Sequence, residues 1–287
     1  MEVPPRGWIG TIKGAWRAAG KQNLSLVAGG VTYSIVLALF PGLAALVSIY
    51  GLIASPTEVQ RHASSLSHLL PGAAQTLITT ELHHLVTISG GALRIGTVIG
   101  ILAAVWSASR GMSNLIIALD IAYGREEQRG FVRFNLVALA LTGTMIVGGL
   151  VELGLVAGLP IVLSAVGASD VTRTLALVLE WPLLIAIVLT GLAALYRYAP
   201  DRAGARWRWL TPGAVVATGL WVIGSVLFSV YVSNFASYDK TYGSLGGIIV
   251  LLTWLWLSIY VVLFGAEINA EAERQRRDDA TPGEKHA

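Results

Sequence analysis

Two glutamates stand deep inside apolar runs, where a charged side chain costs about 2.5–3.5 kcal/mol on insertion scales. Glu152 lies six residues before the end of a run from about Phe134 to Gly158, and Glu180 lies six residues into the next, from about Thr174 to Tyr198. At about 1.5 Å of rise per residue, both sit roughly 9 Å below one boundary, on successive antiparallel helices. Carboxylates at matching depth suit a shared cation or proton site, or a polar floor under an outward cavity. Local hydrogen bonding by each acid is the simpler alternative. Pro41 falls near the middle of the first apolar run, where it lacks a donor and collides with the carbonyl of Leu37, so a kink or break is expected. Tyr33 and Gly29-Gly30 add polar and small surface about two to three turns earlier. Broken helices line transport sites, and they also arise as packing adjustments. Glu152, Glu180, Tyr33 and Pro41 are therefore the candidate intramembrane polar site.

A second concentration of polar groups precedes the last apolar run. Asn234, Ser237, Tyr238, Asp239, Lys240 and Tyr242 form a hairpin richer in polar and aromatic side chains than a turn requires. The Gly243-Ser244-Leu245-Gly246-Gly247 stretch after it supplies a helix cap and a small face for close helix contact. Glu267, in GAEINAE at the far end of that run, is placed to reach cytosolic arginines in a structural role. His62, His68, His83 and His84 share one loop without HExxH or any cysteine, and adjacent His83 and His84 would point to different helix faces. They read as solvated loop residues. Walker A, GxGxxG and GxSxG motifs are absent. No catalytic residue, cofactor or metal is expected, and the chain reads as a non-enzyme.

These residues must be positioned by membrane helices. Apolar residues make up 54% of the 287 and charged residues 13%, about half the charged share of a soluble domain; the mean hydropathy is +0.66. A hydrocarbon core of roughly 30 Å takes about 20 helical residues. Six segments qualify: about 26–54, 93–109, 134–158, 174–198, 211–235 and 244–266. The second is short, and residues 159–168 either extend the third or form a separate element, which leaves a seven-span reading open. Arginine and lysine settle the orientation. Arg6, Lys13, Arg17 and Lys21 precede the first span. Arg110, Arg125, Arg129 and Arg133 flank the second connection, and Arg197, Arg202, Arg206 and Arg208 the fourth. Arg274, Arg276, Arg277 and Lys285 follow the last span, so 16 of 20 basic residues fall on one side. That side is cytoplasmic, with both chain ends on it, as six spans require.

The fold class is thus all-α, a polytopic bundle in a bacterial inner membrane. Residues 1–25 are expected to form a cytoplasmic interfacial helix, with Trp8, Ile9, Ile12, Trp16 and Ala19 on one face and Lys13, Arg17 and Lys21 on another. Residues 26–271 form the membrane domain, and 272–287 a polar cytoplasmic tail, disordered after Arg274. The long external loop, 55–92, carries leucines at amphipathic spacing around Pro71-Gly72, as two short helices over the bundle mouth.

The runs TYSIVLALFPGLAALVSIYG, WSASRGMSNLIIALDIAYG, YRYAPDRAGARWRWLTPGA and YVSNFASYDKTYGSLGGIIVLLTWLWLSIYVVLFGAEINAE resemble the YihY/BrkB family of bacterial inner-membrane proteins. The likeness spans roughly Thr11 to Glu273. Trp106, Arg110, Arg197, Gly243, Gly246 and Glu267 fit the family pattern as structural positions. Asp239-Lys240 departs from it, and Glu152 is no part of it. The resemblance implies six spans and, in some members, serum resistance. It also carries an old ribonuclease BN label, which this sequence does not support: every histidine but His286 is expected outside. The leading expectation is a transporter or translocation factor for an amphipathic, lipid-like solute. A non-catalytic envelope scaffold acting through Asn234, Tyr238, Asp239 and Tyr242 is the alternative, and a ribonuclease the weakest. Membrane lipids and other envelope proteins are the expected partners; nucleic acid is not.

Overall fold

The computed structural model describes residues 7–53, 90–167, 169–201, 211–234 and 244–280. The four loop histidines, Tyr238, Asp239, Tyr242, Gly243 and His286 lie outside the described residues, as does most of the long external loop. Among the described residues every regular element is helical, and six helices are long and apolar enough to cross a membrane.

Helix α1 (Gly7–Lys21) presents three faces. Thr11, Ala15 and Ala19 are buried, at the four-residue spacing of one helical stripe. Ile9 and Trp16, 72% and 65% exposed, lie beside that stripe, and Lys13, Arg17 and Lys21 are exposed beyond them. The small residues face the protein, and the large apolar ones are turned away from it. Ile9, Ile12 and Trp16 on one side and the cations on the next keep the amphipathic split expected of an interfacial helix. Asn23, in the left-handed region at φ 53°, turns the chain into α2 (Leu24–Ile53). Of the kink or break expected at Pro41, the break does not occur, because α2 runs through Pro41 as one helix.

Helix α3 (Gly90–Tyr123) is twice the length expected of the second span. Its segment from Gly111 onward, GMSNLIIALDIAY, is itself apolar and helix-forming, and its one charge, Asp120, finds partners at the end of the bundle. Arg110, which charge counting put on the cytoplasmic connection, consequently lies within a membrane helix. Helix α4 (Phe131–Leu153) passes through a π-helical turn (Gly154–Gly158) into α5 (Leu159–Ala165), forming one rod of 35 residues. Residues 159–165 therefore extend the third span, and the seven-span alternative falls.

Helix α6 (Asp170–Tyr198) is capped by Ser169, whose side chain accepts the Thr172 N–H, and it continues through Pro182. Pro212 opens α7 (Pro212–Asn234) at a position where its missing donor costs nothing. Helix α8 (Ser244–Ala280) overruns the expected tail boundary, its cytoplasmic extension held by Arg274–Glu271 and Gln275–Glu271 pairs and by Thr11, which donates to Gln275 at 3.0 Å.

Burial is polarised. The buried stretches are Leu24–Thr32 of α2, Gly111–Tyr123 of α3, Ala138–Thr142 of α4, Ala193–Tyr196 of α6, Gly213–Thr218 of α7 and Ile259–Gln275 of α8. All lie toward the end of the bundle where α1 packs on α8, the end expected to be cytoplasmic. Among the described residues only Ala45 and Gly246 are buried farther out. In the outer halves of α4, α6 and α7, Leu153, Leu179, Trp181 and Leu227 are each more than 60% exposed.

Candidate functional site

The inner end of the bundle is closed by two polar locks and a tight helix crossing. In the first lock, Asp120 of α3, 2% exposed, accepts the Asp201 N–H at 2.9 Å. Arg129 sits beside it, 3.9 Å from the second Asp120 oxygen, and ties the ends of three spans together. Its guanidinium donates to Glu127 Oε1 at 2.8 Å and Oε2 at 2.5 Å, to the Ala199 carbonyl at 2.6 Å and to the Tyr198 carbonyl at 3.3 Å. Burial alone would raise the Glu127 carboxyl, yet the Arg129 hydrogen bonds outweigh it and hold the group below the usual carboxylate range. Burial opposes the Arg129 charge in turn, and the same bonds keep it protonated.

The second lock centres on α8. Asn269 accepts the Gly213 N–H at 2.8 Å through Oδ1 and donates to Tyr123 and Thr211 hydroxyls, both at 3.2 Å. It thereby satisfies an orphan donor in the first turn of α7 that the Pro212 start leaves free. Glu267, fully buried, takes the exposed Arg274 at 3.1 Å. Tyr196 donates to the Val262 carbonyl at 2.7 Å. A cavity of about 390 Å³ opens at this end between Gln22, Tyr123, Arg125, Glu273 and Arg274.

The intramembrane candidates lie on the opposite, loosely packed side. Glu152 and Glu180 are each half-buried, on the neighbouring helices α4 and α6, and no hydrogen bond joins them. Glu152 stands two residues before the π-helical turn, a local rephasing often found at functional positions. Tyr33 is 65% exposed on a stripe with Leu26, Leu37 and Phe40. That stripe is turned about 200° from Ile35, the residue that meets Gly111 of α3. Helix α2 packs chiefly on α3 and α8, so Tyr33 and Pro41 are not brought to the glutamates. Ser34, not Tyr33, makes the polar contact to α3, accepting from Asn114 at 2.6 Å.

The remaining family-pattern residues fall at three levels. Trp106 and Arg110 are exposed in the middle of α3, with the guanidinium carbon 4.8 Å from the centre of the indole ring. Arg197 lies over the Tyr198 ring in the last turn of α6, where a cation suits the helix dipole. Gly246 is buried in the first turn of α8, and Asn234 ends α7. Asp120, Arg129 and Asn269 had not stood out as a site. A carboxylate on the buried face of LIIALD, with arginine nine residues on, was the available signal. Among the described residues no three His, Asp or Glu side chains gather as a metal site.

Comparison with known proteins bears on the whole chain. A family profile described as virulence factor BrkB matches residues 15–287. The chain is 36% identical over 251 residues to the ribonuclease-like protein YfkH of Bacillus subtilis, covering 86% of this chain and 89% of that one. It is 26% identical to a UPF0761 membrane protein of Photobacterium profundum, covering 92% and 81%. A UPF0761 membrane protein of Alteromonas mediterranea is 28% identical, with 91% and 88% covered. No solved structure matches.

Proposed function

The chain belongs to the BrkB family and is a multi-pass bacterial membrane protein, and on that premise we propose that it translocates an amphipathic, lipid-like solute. The observation that carries this reading is the polarised packing. The inner end is closed by hydrogen-bonded locks, while the outer halves of the spans leave large apolar side chains and two half-buried carboxylates without tight packing. A protein that only had to span the membrane would gain by packing its helices along their length. One closed end and one open end is the form alternating access takes when a solute enters from the bilayer or the outer side. The interfacial helix α1 is locked to α8 through Thr11 and Gln275, so movement of the inner end is coupled to the headgroup layer. In this reading the chain is not an enzyme and holds no cofactor.

Reconstitution tests it. Proteoliposomes containing the chain should move a headgroup-labelled phospholipid between leaflets faster than protein-free vesicles, with the label followed by an impermeant quencher. Equal rates in the two preparations would sink the reading. The scaffold alternative rests on the outer hairpin, and no described contact favours it. The ribonuclease-like name of the Bacillus relative brings a competing activity, which a nuclease assay addresses below.

A further inference from the structure

Arg110 is a cation at the wrong depth for a topology signal. The apolar stretch of α3 runs from Val98 to Tyr123. Arg110 lies ten residues, about 15 Å, from Asp120, whose lock closes the inner end of the bundle, so its Cα lies near the midplane of a roughly 30 Å core. The Ser34–Asn114 hydrogen bond sets Asn114 about 15 Å from the inner end of α2, because Ser34 is ten residues into it, and Arg110 lies one turn, about 6 Å, farther out. A side chain on a helix leans toward the N-terminus, which for α3 is the outer end. The contact with Trp106, one turn farther out, shows the guanidinium following that lean, away from the cytoplasmic headgroups.

The guanidinium is also uncompensated. Arg129 and Arg274 each hold carboxylates, whereas among the described residues Arg110 has neither an ion pair nor a hydrogen bond, only the indole face. Trp106, Arg110 and Asn114 are spaced by four along one exposed stripe. Above them on that stripe lie Ile99 and Leu102, and below them Ile117 and Ile121, all exposed and apolar. The Asn114 amide donates one N–H to Ser34, which itself donates to the Gly30 carbonyl, and Asn114 keeps further polar atoms at the surface. The stripe therefore offers hydrocarbon contact at both ends and an aromatic, a guanidinium and an amide in the middle. An exposed, unpaired cation in hydrocarbon is tenable only with an anion or water beside it. The molecule that brings both an anion and apolar chains to this depth is a lipid.

We propose that Trp106, Arg110 and Asn114 form a midplane binding station for the phosphate of an anionic phospholipid, its acyl chains lying along the apolar parts of the same stripe. This names the solute class for the translocation proposed above. It depends on that reading for its purpose, though the binding can be measured alone. Arg110 supplies a charge-assisted, two-pronged donor to phosphate oxygens. Trp106 holds the guanidinium in place by its ring face, and Asn114 adds a neutral donor.

The test uses the full chain in nanodiscs of equal phosphatidylglycerol and phosphatidylethanolamine. The background carries Lys13→Gln, Arg17→Gln and Lys21→Gln, to remove anionic lipid held by the interfacial stripe. Native mass spectrometry should then show phosphatidylglycerol retained over phosphatidylethanolamine. Arg110→Gln should lower that preference about tenfold, and Arg110→Lys, which keeps charge without the fork, less so. Neutralising a membrane-buried cation eases insertion, so Arg110→Gln is expected to fold. A measurement on the unmodified chain stands beside it: phosphatidylglycerol with a photoreactive headgroup should label a peptide containing Trp106. An unchanged preference in Arg110→Gln, or labelling confined to α1, would overturn the station. Arg110-dependent binding in a chain that fails to translocate lipid would leave the station standing and remove the transport reading instead.

Discussion

Gly213 of α7 and Gly265 of α8 meet so closely that a methyl group on either would run into the carbonyl oxygen of the other. The contact lets two backbones approach at the inner end, and the Gly213–Asn269 and Tyr196–Val262 hydrogen bonds both depend on that approach. The Gly265 methyl would also strike the Tyr196 hydroxyl.

Alanine at either position should therefore loosen the inner closure. Gly213→Ala and Gly265→Ala are each expected to destabilise the protein by about 1–3 kcal/mol, the usual cost of overpacking. Gly148→Ala and Gly219→Ala, whose added methyls meet nothing within 4 Å, should be neutral or stabilising by about 0.5–1 kcal/mol through helix propensity. Thermal unfolding of the detergent-solubilised variants reads the difference. Equal losses in all four would mean that the crossing is not what sets stability there.

The Arg129 lock makes a second prediction. Arg129→Ala strands Asp120, whose side chain is 3% exposed, and should cost about 3–5 kcal/mol, as breaking a buried pair does. Asp120→Asn in the same chain removes the stranded charge and should recover part of the loss. Glu127 is held below the ordinary carboxylate range, so its contribution is present at neutral pH and disappears as pH falls through its folded value. Its side chain is 21% exposed, so solvent screens the pair only in part, and Glu127→Gln should flatten the acid side of the stability profile. If Arg129→Ala proves as stable as the parent chain, the lock has no structural weight.

Reporter fusions check the orientation read from arginine and lysine. Fusions after Ala203 and after Ala280 should report the cytoplasm, and one after Gly72 the periplasm. A periplasmic reading at Ala280 would overturn the six-span arrangement.

The sequence made the architecture legible because hydropathy and cation placement act over twenty residues at a time. Six apolar spans and their order follow from such averages. What it hid depends on pairs of distant residues. Arg110 looked like a loop cation because the segment after it contains Asp120, and only the contact with Asp201 lets that carboxylate remain within the bundle. The face of α1 that docks was likewise concealed: Thr11, Ala15 and Ala19 are unremarkable until α8 brings Gln275 alongside. Glu152 and Glu180 stood out by their depth, but depth fixes one coordinate of three. The rotation of each helix, shifted near Glu152 by the π-helical turn, decides whether two acids meet.

A nuclease assay sets the translocation reading against the ribonuclease-like name of the Bacillus relative. Purified protein with magnesium or manganese is expected to leave RNA intact. Cleavage that copurifies with the protein and is lost in Asp120→Asn or Glu267→Gln would overturn the non-enzymatic reading, since those are the most buried acids of the described chain.

The glutamates provide the last test, and their separation makes it sharper. Two acids sharing one cation or proton act as a unit, so Glu152→Gln and Glu180→Gln would each abolish lipid movement and the double variant would do no more. Acids that act apart give losses that multiply. No bond joins Glu152 to Glu180 in this conformation, so multiplying losses are expected if the open outer halves stay open through the cycle. Coincident losses would instead show that α4 and α6 rotate to bring the acids together when the inner end opens. Glutamine keeps shape and hydrogen bonding and lightens the insertion cost, so protein levels should hold in both variants. Pro41→Ala separates the bundle's motion from its chemistry. Helix α2 already runs through Pro41, so restoring the absent donor should stabilise the helix without changing its course. Activity lost there, at normal abundance, would mean that α2 bends at Pro41 during transport. If all three variants translocate lipid at the parent rate, neither the acids nor the proline belongs to the pathway, and the Arg110 stripe must be tested without them.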